Sequence, residues 1–287
     1  MRAYIPAYEL VQVKSLTEAL QMIAREPGKW RPFAGGTDLM VLFEMGKLSH
    51  KHFVNLWNLE ELRGITLSDD FIELGALTTY AQIQMHPVLQ QEFPLLCQAA
   101  RETGAPAIQH RGTIGGNIAN ASPAADTPPA LIVYEAEIEL VSEQGTRRVP
   151  YADFHTAYKK TLMREGELIK SVRLPRVFRG WKSYYRKVGT RRAQAISKVC
   201  FAGIARLQGH TIQDIRFAIG SVDPTVIRGC ASIEALLKGQ KVSASLVSAA
   251  QSELRKQIHP IDDIRSTSKF RVQVTLNLLE DFLLSLV

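Results

Sequence analysis

The chain has 287 residues, 46% of them hydrophobic, with 35 Lys and Arg against 28 Asp and Glu for a net charge of +7. That size and apolar content suit a globular chain of one large domain or two to three small ones, and no apolar run approaches the ~20 residues that span a bilayer. The excess charge is moderate and scattered in short pairs (Arg147-Arg148, Lys159-Lys160, Arg186-Lys187, Arg191-Arg192), which argues against a nucleic-acid surface and fits a solvated face, an anionic cofactor or an acidic partner.

The first predicted element is a helix. Ser15 and Glu18 have capping-box spacing, Leu16, Ala19, Leu20, Ile23 and Ala24 share one face, and Pro27-Gly28 stops it. A strand over 31–34 runs into a first glycine cluster, Pro32-Phe33-Ala34-Gly35-Gly36-Thr37-Asp38-Leu39. Strands follow at 53–56 and 71–75, then a helix capped by Thr78 or Thr79 and another over about 88–101. A second cluster, Gly112-Thr113-Ile114-Gly115-Gly116-Asn117, continues through an Ala/Pro/Asn-rich loop to Ser122-Pro123-Ala124-Ala125-Asp126. Residues 137–142 and 147–149 form a hairpin across 143–146, and 167–174 form a strand closed by Pro175. Composition shifts at 175–180, which places the main boundary there. Beyond it come three antiparallel strands (181–188, 199–207, 212–219) and helices over 232–238, 245–258 and 269–287, the last with Phe270, Val274, Leu278 and Phe282 as a core stripe. This irregular alternation, with hairpins, indicates an α+β fold rather than a doubly wound parallel sheet.

The three cysteines, Cys97, Cys200 and Cys230, form no C-x-x-C pair. That argues against zinc-ribbon or iron–sulfur ligation within the chain and for reduced, mostly buried thiols. Among seven histidines only His50-x-His52 is a close pair, and nothing nearby completes a metal site. The segment Met1-Arg2-Ala3-Tyr4-Ile5-Pro6 lacks the apolar core of a signal peptide, so the cytoplasm is the expected compartment.

Each glycine cluster sets two adjacent glycines after an apolar residue and before a small polar one. Paired glycines let N–H groups converge on one point, a geometry that suits a phosphate. Two such rows suit a diphosphate, and hence a dinucleotide. Neither cluster has the G-x-x-x-x-G-K-[ST] or G-x-G-x-x-G spacing of the familiar phosphate loops, which leaves a split site built from two loops. Thr37 and Asn117 add side-chain hydrogen-bonding groups. Asp126 either accepts hydrogen bonds from ribose or ribityl hydroxyls or caps a turn or the helix starting near Pro128 or Pro129.

The run from Thr113 through Asp126, together with Ala34-Gly35-Gly36-Thr37-Asp38-Leu39, closely resembles the FAD-binding medium subunits of the molybdenum hydroxylase family. Phe154-His155-Thr156 and Ser266-x-Ser268-Lys269-Phe270-Arg271 look nearest to the bacterial xanthine dehydrogenase type. The resemblance implies an FAD-binding domain over 1–176, of the vanillyl-alcohol-oxidase type, with subdomains at about 1–58 and 59–176. A C-terminal α+β domain over 177–287, with a three-stranded antiparallel sheet and helices, would follow. It implies FAD in the cleft, its diphosphate enclosed by Pro32, Phe33, Ala34, Gly35, Gly36, Thr37, Asp38 and Leu39 on one side and Thr113, Ile114, Gly115, Gly116 and Asn117 on the other. Asp126 would meet the sugar-derived hydroxyls. Ile169 would pack on the isoalloxazine, although as a sequence position it also reads as an ordinary buried strand residue. Lys187 would lie near the pyrimidine end, where a cation favours anionic reduced flavin.

The same resemblance implies a chain with no catalytic side chain of its own. Electrons would come from [2Fe–2S] clusters on a small subunit, with substrate hydroxylation on a large molybdopterin subunit, in a heterotrimer or its dimer. They would leave to NAD⁺ or another acceptor. A purine such as xanthine is the expected substrate, with carbon monoxide, aldehydes or N-heterocycles as alternatives. A self-contained FAD oxidase would need its own acid/base set, which the sequence does not offer. A basic anion-binding module without enzymatic activity is the more distant alternative. Two positions depart from the family pattern: Gln109-His110 where an Arg-Asn pair is frequent, and Ala195-Ile196 where Asp-Ile is frequent.

Overall fold

Ser15 caps the first helix by accepting the Glu18 N–H at 3.1 Å, and the Glu18 carboxylate accepts the Lys14 N–H at 2.6 Å, one residue short of a reciprocal capping box. In the computed structural model, which describes residues 7–228 and 231–287, this helix belongs to an N-terminal unit of β1 (Glu9–Gln12), α1 (Leu16–Arg25), β2 (Arg31–Phe33), α2 (Leu39–Glu44) and β3 (His52–Asn55). The three strands are parallel in the order β1-β3-β2. Ala19, Leu20 and Ile23 of α1 are buried with Val54, Leu56, Leu59 and Leu62. Because β2 and β3 run in parallel with Phe33 opposite Asn55, the segments that follow them leave the sheet at the same edge. Ligands in α/β sheets gather at this carboxyl edge.

The second unit centres on an antiparallel five-stranded sheet. It comprises β4 (Ile65–Leu67), β5 (Phe71–Gly75), β6 (Glu137–Ser142), β7 (Gly145–Pro150) and β10 (Leu168–Pro175), in the order β4-β5-β10-β6-β7. Between β5 and β6 run α3 (Tyr80–Met85), α4 (Pro87–Glu92), α5 (Pro94–Glu102), α6 (Pro106–Gln109), α7 (Ile114–Asn120) and α8 (Pro128–Val133). A short α9 (Tyr151–Phe154) and the hairpin β8 (His155–Ala157) and β9 (Lys160–Thr161) precede β10.

Three expectations change here. The helix expected over 88–101 is two helices, because Pro94 starts α5 after Phe93 leaves helical geometry at φ −130°, ψ 53°. The region expected as a loop after Gly112 begins with helix α7, capped by Thr113 and ended by Ala121 in the left-handed region at φ 47°. Its two glycines hid it, since glycine is a poor helix former. The β6–β7 turn is also shorter than expected, since Ser142 pairs with Gly145 and leaves only Glu143-Gln144 between them.

The C-terminal unit holds β11 (Lys182–Val188), β12 (Val199–Gln208) and β13 (Thr211–Gly220), and then a fourth strand, β14 (Ile227–Arg228). The three-stranded sheet is therefore corrected to four; two residues are too few to display an alternating pattern. Alternation along β12 sends Phe201 toward α10 (Ala231–Leu237), α11 (Ala244–Arg255) and α12 (Ser268–Leu284), in a core with Phe217, Leu254, Leu279 and Phe282. Cys200, Ala202 and Ile204 face the other way and join the core of the second unit with Leu131 of α8. On α12 the expected stripe slips. Leu278 and Phe282 are buried with Leu279 and Leu283, while Phe270 is 42% exposed. Cys97 and Cys200 are buried free thiols; Cys230 and the Met1–Pro6 segment lie outside the described residues. No helix among the described residues is long and apolar enough to cross a membrane.

Candidate functional site

The two glycine clusters meet at Gly35. A Cβ at this position would lie 1.7 Å from the Arg111 carbonyl oxygen, so only glycine lets the first loop touch the approach to the second. Gly36 sits at φ +74°, in the left-handed region that favours glycine, and a Cβ there would lie 2.6 Å from the Phe33 ring. Among the described residues, the N–H groups of Gly35, Gly36, Thr37, Asp38 and Leu39 meet no acceptor within the chain. The loop is half-exposed. It is a bent row of open donors with no Cβ at two positions, and this fits a phosphate.

The second cluster differs from the donor row expected for it. Ile114 N–H bonds Thr78 O at 2.9 Å, Gly115 N–H bonds Ala76 O at 2.9 Å, Gly116 N–H bonds the Thr113 hydroxyl at 3.1 Å, and Asn117 N–H bonds Thr113 O at 3.0 Å. Its glycines serve close approach. A Cβ on Gly115 would lie 2.7 Å from the Ala76 methyl, and one on Gly112 2.8 Å from the Tyr80 ring. Gly116 is exposed, Asn117 half-buried, and Thr113, Ile114 and Gly115 buried. The Thr127 hydroxyl donates to Asn117 Oδ1 at 2.6 Å, and Lys159 Nζ donates to Asn120 Oδ1 at 2.6 Å.

Asp126, expected at the sugar-derived hydroxyls, and Lys187, expected near the pyrimidine end of the flavin ring, are each other's partner. Lys187 Nζ lies 2.7 Å from Asp126 Oδ2, with the two side chains only 6% and 9% exposed. The Ser197 hydroxyl donates to Oδ1 at 2.6 Å, and Lys187 also donates to Glu102 O at 2.9 Å. The Tyr185 hydroxyl donates to Asp126 O at 3.0 Å. Burial pushes the Asp126 carboxyl above its ordinary value, opposed by the Lys187 ammonium and the Ser197 hydroxyl. Burial likewise pushes the Tyr185 phenol and the Cys200 thiol up. This polar knot joins the loop after α7 to β11 and to the approach to β12.

Ile169 is 6% exposed on β10, beside an irregularity between Ile169 and Ser171 where the β10–β6 register shifts, and it belongs to the main core. The two departures have local structural roles. Gln109 donates its amide to Arg101 O at 2.8 Å and Thr103 O at 3.2 Å, closing the end of α5. The Ala195 methyl packs on Gly189, where a Cβ would come within 2.9 Å. Sequence reasoning missed Trp57, Arg111, Thr127, Lys159 and Ser197 at this site. Arg111, next to Gly112, and Thr127, next to Asp126, carried a positional signal. A cleft of 430 Å³ between α11 and α12, lined by Val247, Gln251 and Leu284, lies on the face of the C-terminal sheet away from α8. Among the described residues, no three His, Cys, Asp or Glu side chains are placed to hold a metal ion.

Residues 6–177 match the family described as FAD binding domain in molybdopterin dehydrogenase, and residues 183–286 the CO dehydrogenase flavoprotein C-terminal domain. The chain is 34% identical to the glyceraldehyde dehydrogenase medium chain of Sulfolobus acidocaldarius, covering 94% of this chain and 95% of that one. It is 30% identical to a putative xanthine dehydrogenase FAD-binding subunit of Escherichia coli K12, covering 91% and 89%. Among solved structures it superposes on a chain of carbon monoxide dehydrogenase from Hydrogenophaga pseudoflava with a TM-score of 0.92 at 28% identity, covering 97% and 96%. The open donor row, the two abutting loops and these matches over both domains agree: the chain belongs to the FAD-binding medium subunits of the molybdenum hydroxylase family, and FAD is its cofactor.

Proposed function

We propose that this chain is the electron-transferring flavoprotein subunit of a cytoplasmic molybdenum hydroxylase. Its partners are a large molybdopterin subunit, where substrate is hydroxylated, and a small subunit with [2Fe–2S] clusters, in a heterotrimer or its dimer. Bound FAD supplies the redox chemistry, accepting electrons from the clusters and releasing them to NAD⁺ or another acceptor. The FAD-carrying part is residues 1–176, in subdomains of about 1–58 and 59–176, with 177–287 packed against it.

One observation carries the reading: the unpaired N–H row from Gly35 through Leu39, pressed against Arg111. In this reading Pro32, Phe33 and Ala34 bring β2 to the loop; Gly35, Gly36, Thr37, Asp38 and Leu39 hold the diphosphate. Thr113, Ile114, Gly115, Gly116 and Asn117 wall the opposite side by shape rather than by open donors. Asp126 keeps acceptor capacity on each carboxylate oxygen for a sugar hydroxyl. Lys187, tied to Asp126, brings positive charge to the ring end, and Ile169 offers the apolar surface. A purine substrate such as xanthine is favoured by the 154–156 and 266–271 segments and by the E. coli relative. An aldehyde is the second reading, favoured by the glyceraldehyde dehydrogenase relative.

The purified chain is expected to show the visible spectrum of oxidised flavin and to release FAD on denaturation. Failure to take up FAD on reconstitution contradicts the reading. The complex assayed with xanthine and with glyceraldehyde, following NADH, separates the two substrate classes. A complex that reduces a different acceptor but never NAD⁺ removes the NAD⁺ assignment.

A further inference from the structure

Gly35 and Trp57 each lie two residues beyond a paired strand end, Phe33 and Asn55, at the shared carboxyl edge of β2 and β3. The Leu56 N–H bonds Phe33 O at 2.9 Å, which keeps the two exits side by side. Arg111 completes the group. Its carbonyl abuts Gly35, and its guanidinium lies 3.8 Å from the centre of the Trp57 ring. Arg63, also against Trp57, is engaged elsewhere, with Glu60 at 3.7 Å and with the Trp57 carbonyl. Arg111 is exposed, and among the described residues its side chain meets no carboxylate and no hydrogen-bond acceptor.

The charges around the loop make this cation informative. Asp38 places a carboxylate within the donor row, and it acts on the ammonium of Lys159, which is bonded to Asn120. Burial pushes the Lys159 ammonium below its ordinary value, Asp38 opposes that shift, and the one side-chain hydrogen bond of Lys159 among the described residues goes to Asn120. A diphosphate seated on Gly35–Leu39 is served by a further cation, and Arg111, whose side chain meets no acceptor among the described residues, can supply it. Stacking on an aromatic face holds a guanidinium in place while leaving its N–H edge free.

We infer that Arg111, laid on Trp57, forms a cationic wall of the cofactor site. Its guanidinium edge binds the diphosphate seated on the Gly35–Leu39 N–H row, and Trp57 is a positioning residue that holds it there. The inference rests on the placement of the diphosphate at that row. It adds a ligand group from outside both glycine clusters, and it assigns the wall to the ADP half of FAD rather than to the flavin ring.

The test is a set of titrations of the apo-chain with FAD, ADP and riboflavin at two salt concentrations. Arg111→Ala is expected to weaken FAD about 10- to 100-fold, the range of a charge-assisted phosphate contact. ADP should weaken by the same factor, riboflavin should be unaffected, and the salt dependence of FAD binding should flatten. Arg111→Lys, which keeps the charge, should recover part of the loss. Trp57→Leu should weaken FAD less, and should add nothing in an Arg111→Ala background. FAD and ADP affinities within twofold of wild type in Arg111→Ala overturn the inference. A loss confined to riboflavin also overturns it, since the contact then lies at the ring. Wild-type chain that binds neither FAD nor ADP overturns instead the placement on which the inference rests.

Discussion

The loop Gly35–Leu39 leaves its N–H groups open, whereas Ile114–Asn117 bonds every one of its own within the chain. Both carry Gly-Gly after an apolar residue and before a small polar one, so local sequence does not separate them. Their surroundings do. The first pair follows a parallel edge strand, and the Arg111 carbonyl that abuts it accepts none of its N–H groups among the described residues. The second pair lies in a helix started by Thr113, against the Ala76 and Thr78 carbonyls that follow β5. Glycine pairs therefore mark close backbone approach in both places, and open donors in only one.

The largest effect is expected where the second cluster reaches the C-terminal unit. Lys187→Met strands the Asp126 carboxylate in a buried site and should destabilise the fold by about 3–5 kcal/mol, read by urea unfolding. Adding Asp126→Asn should recover much of that loss. An effect below about 1 kcal/mol would mean the pair is solvated. Gly35→Ala comes next. Its methyl has no room beside Arg111, so FAD affinity should fall by more than about 100-fold, or ~2.7 kcal/mol. Gly115→Ala should reverse the balance. Overpacking against Ala76 should cost about 1–3 kcal/mol of stability, while FAD affinity in the folded variant falls by less than about tenfold. Equal losses of FAD in the two variants would erase the distinction between the clusters.

The smallest effect lies away from the site, where Arg147 ties β7 to the start of β10. Its guanidinium donates to both Glu167 oxygens, at 2.6 and 2.8 Å, and holds that carboxyl below its ordinary value of 4.5. A carboxyl depressed by folding adds stability above its unfolded value and loses it as pH falls through the folded one. Glu167→Gln should therefore cost about 1 kcal/mol near neutral pH, and the cost should shrink below pH ~4.5. A cost that does not change with pH would place the effect in packing.

Helix α1, strands β5, β10 and β11–β13 and the first glycine loop were legible because each rests on local signals: a cap, an alternation, or a glycine pair after a strand. What escaped notice depends on distant pairing. Asp126 and Lys187 are 61 residues apart, and Trp57 reaches Arg111 across the join between the units; no spacing rule links such positions. Helix α7 was hidden by its own glycines, and β14 by its length. The break at Pro94 carried a local signal, because proline at a first helical position marks a start.

Amide hydrogen exchange of the apo-chain and the FAD-loaded chain tests the central claim most directly, since it reports on the N–H groups at issue. Peptides covering Gly35–Leu39 should exchange freely without FAD and become protected with it, while those covering Ile114–Asn117 should be protected in both. Protection gained only at 114–117, with 35–39 unchanged, would contradict the account and move the diphosphate to the second cluster.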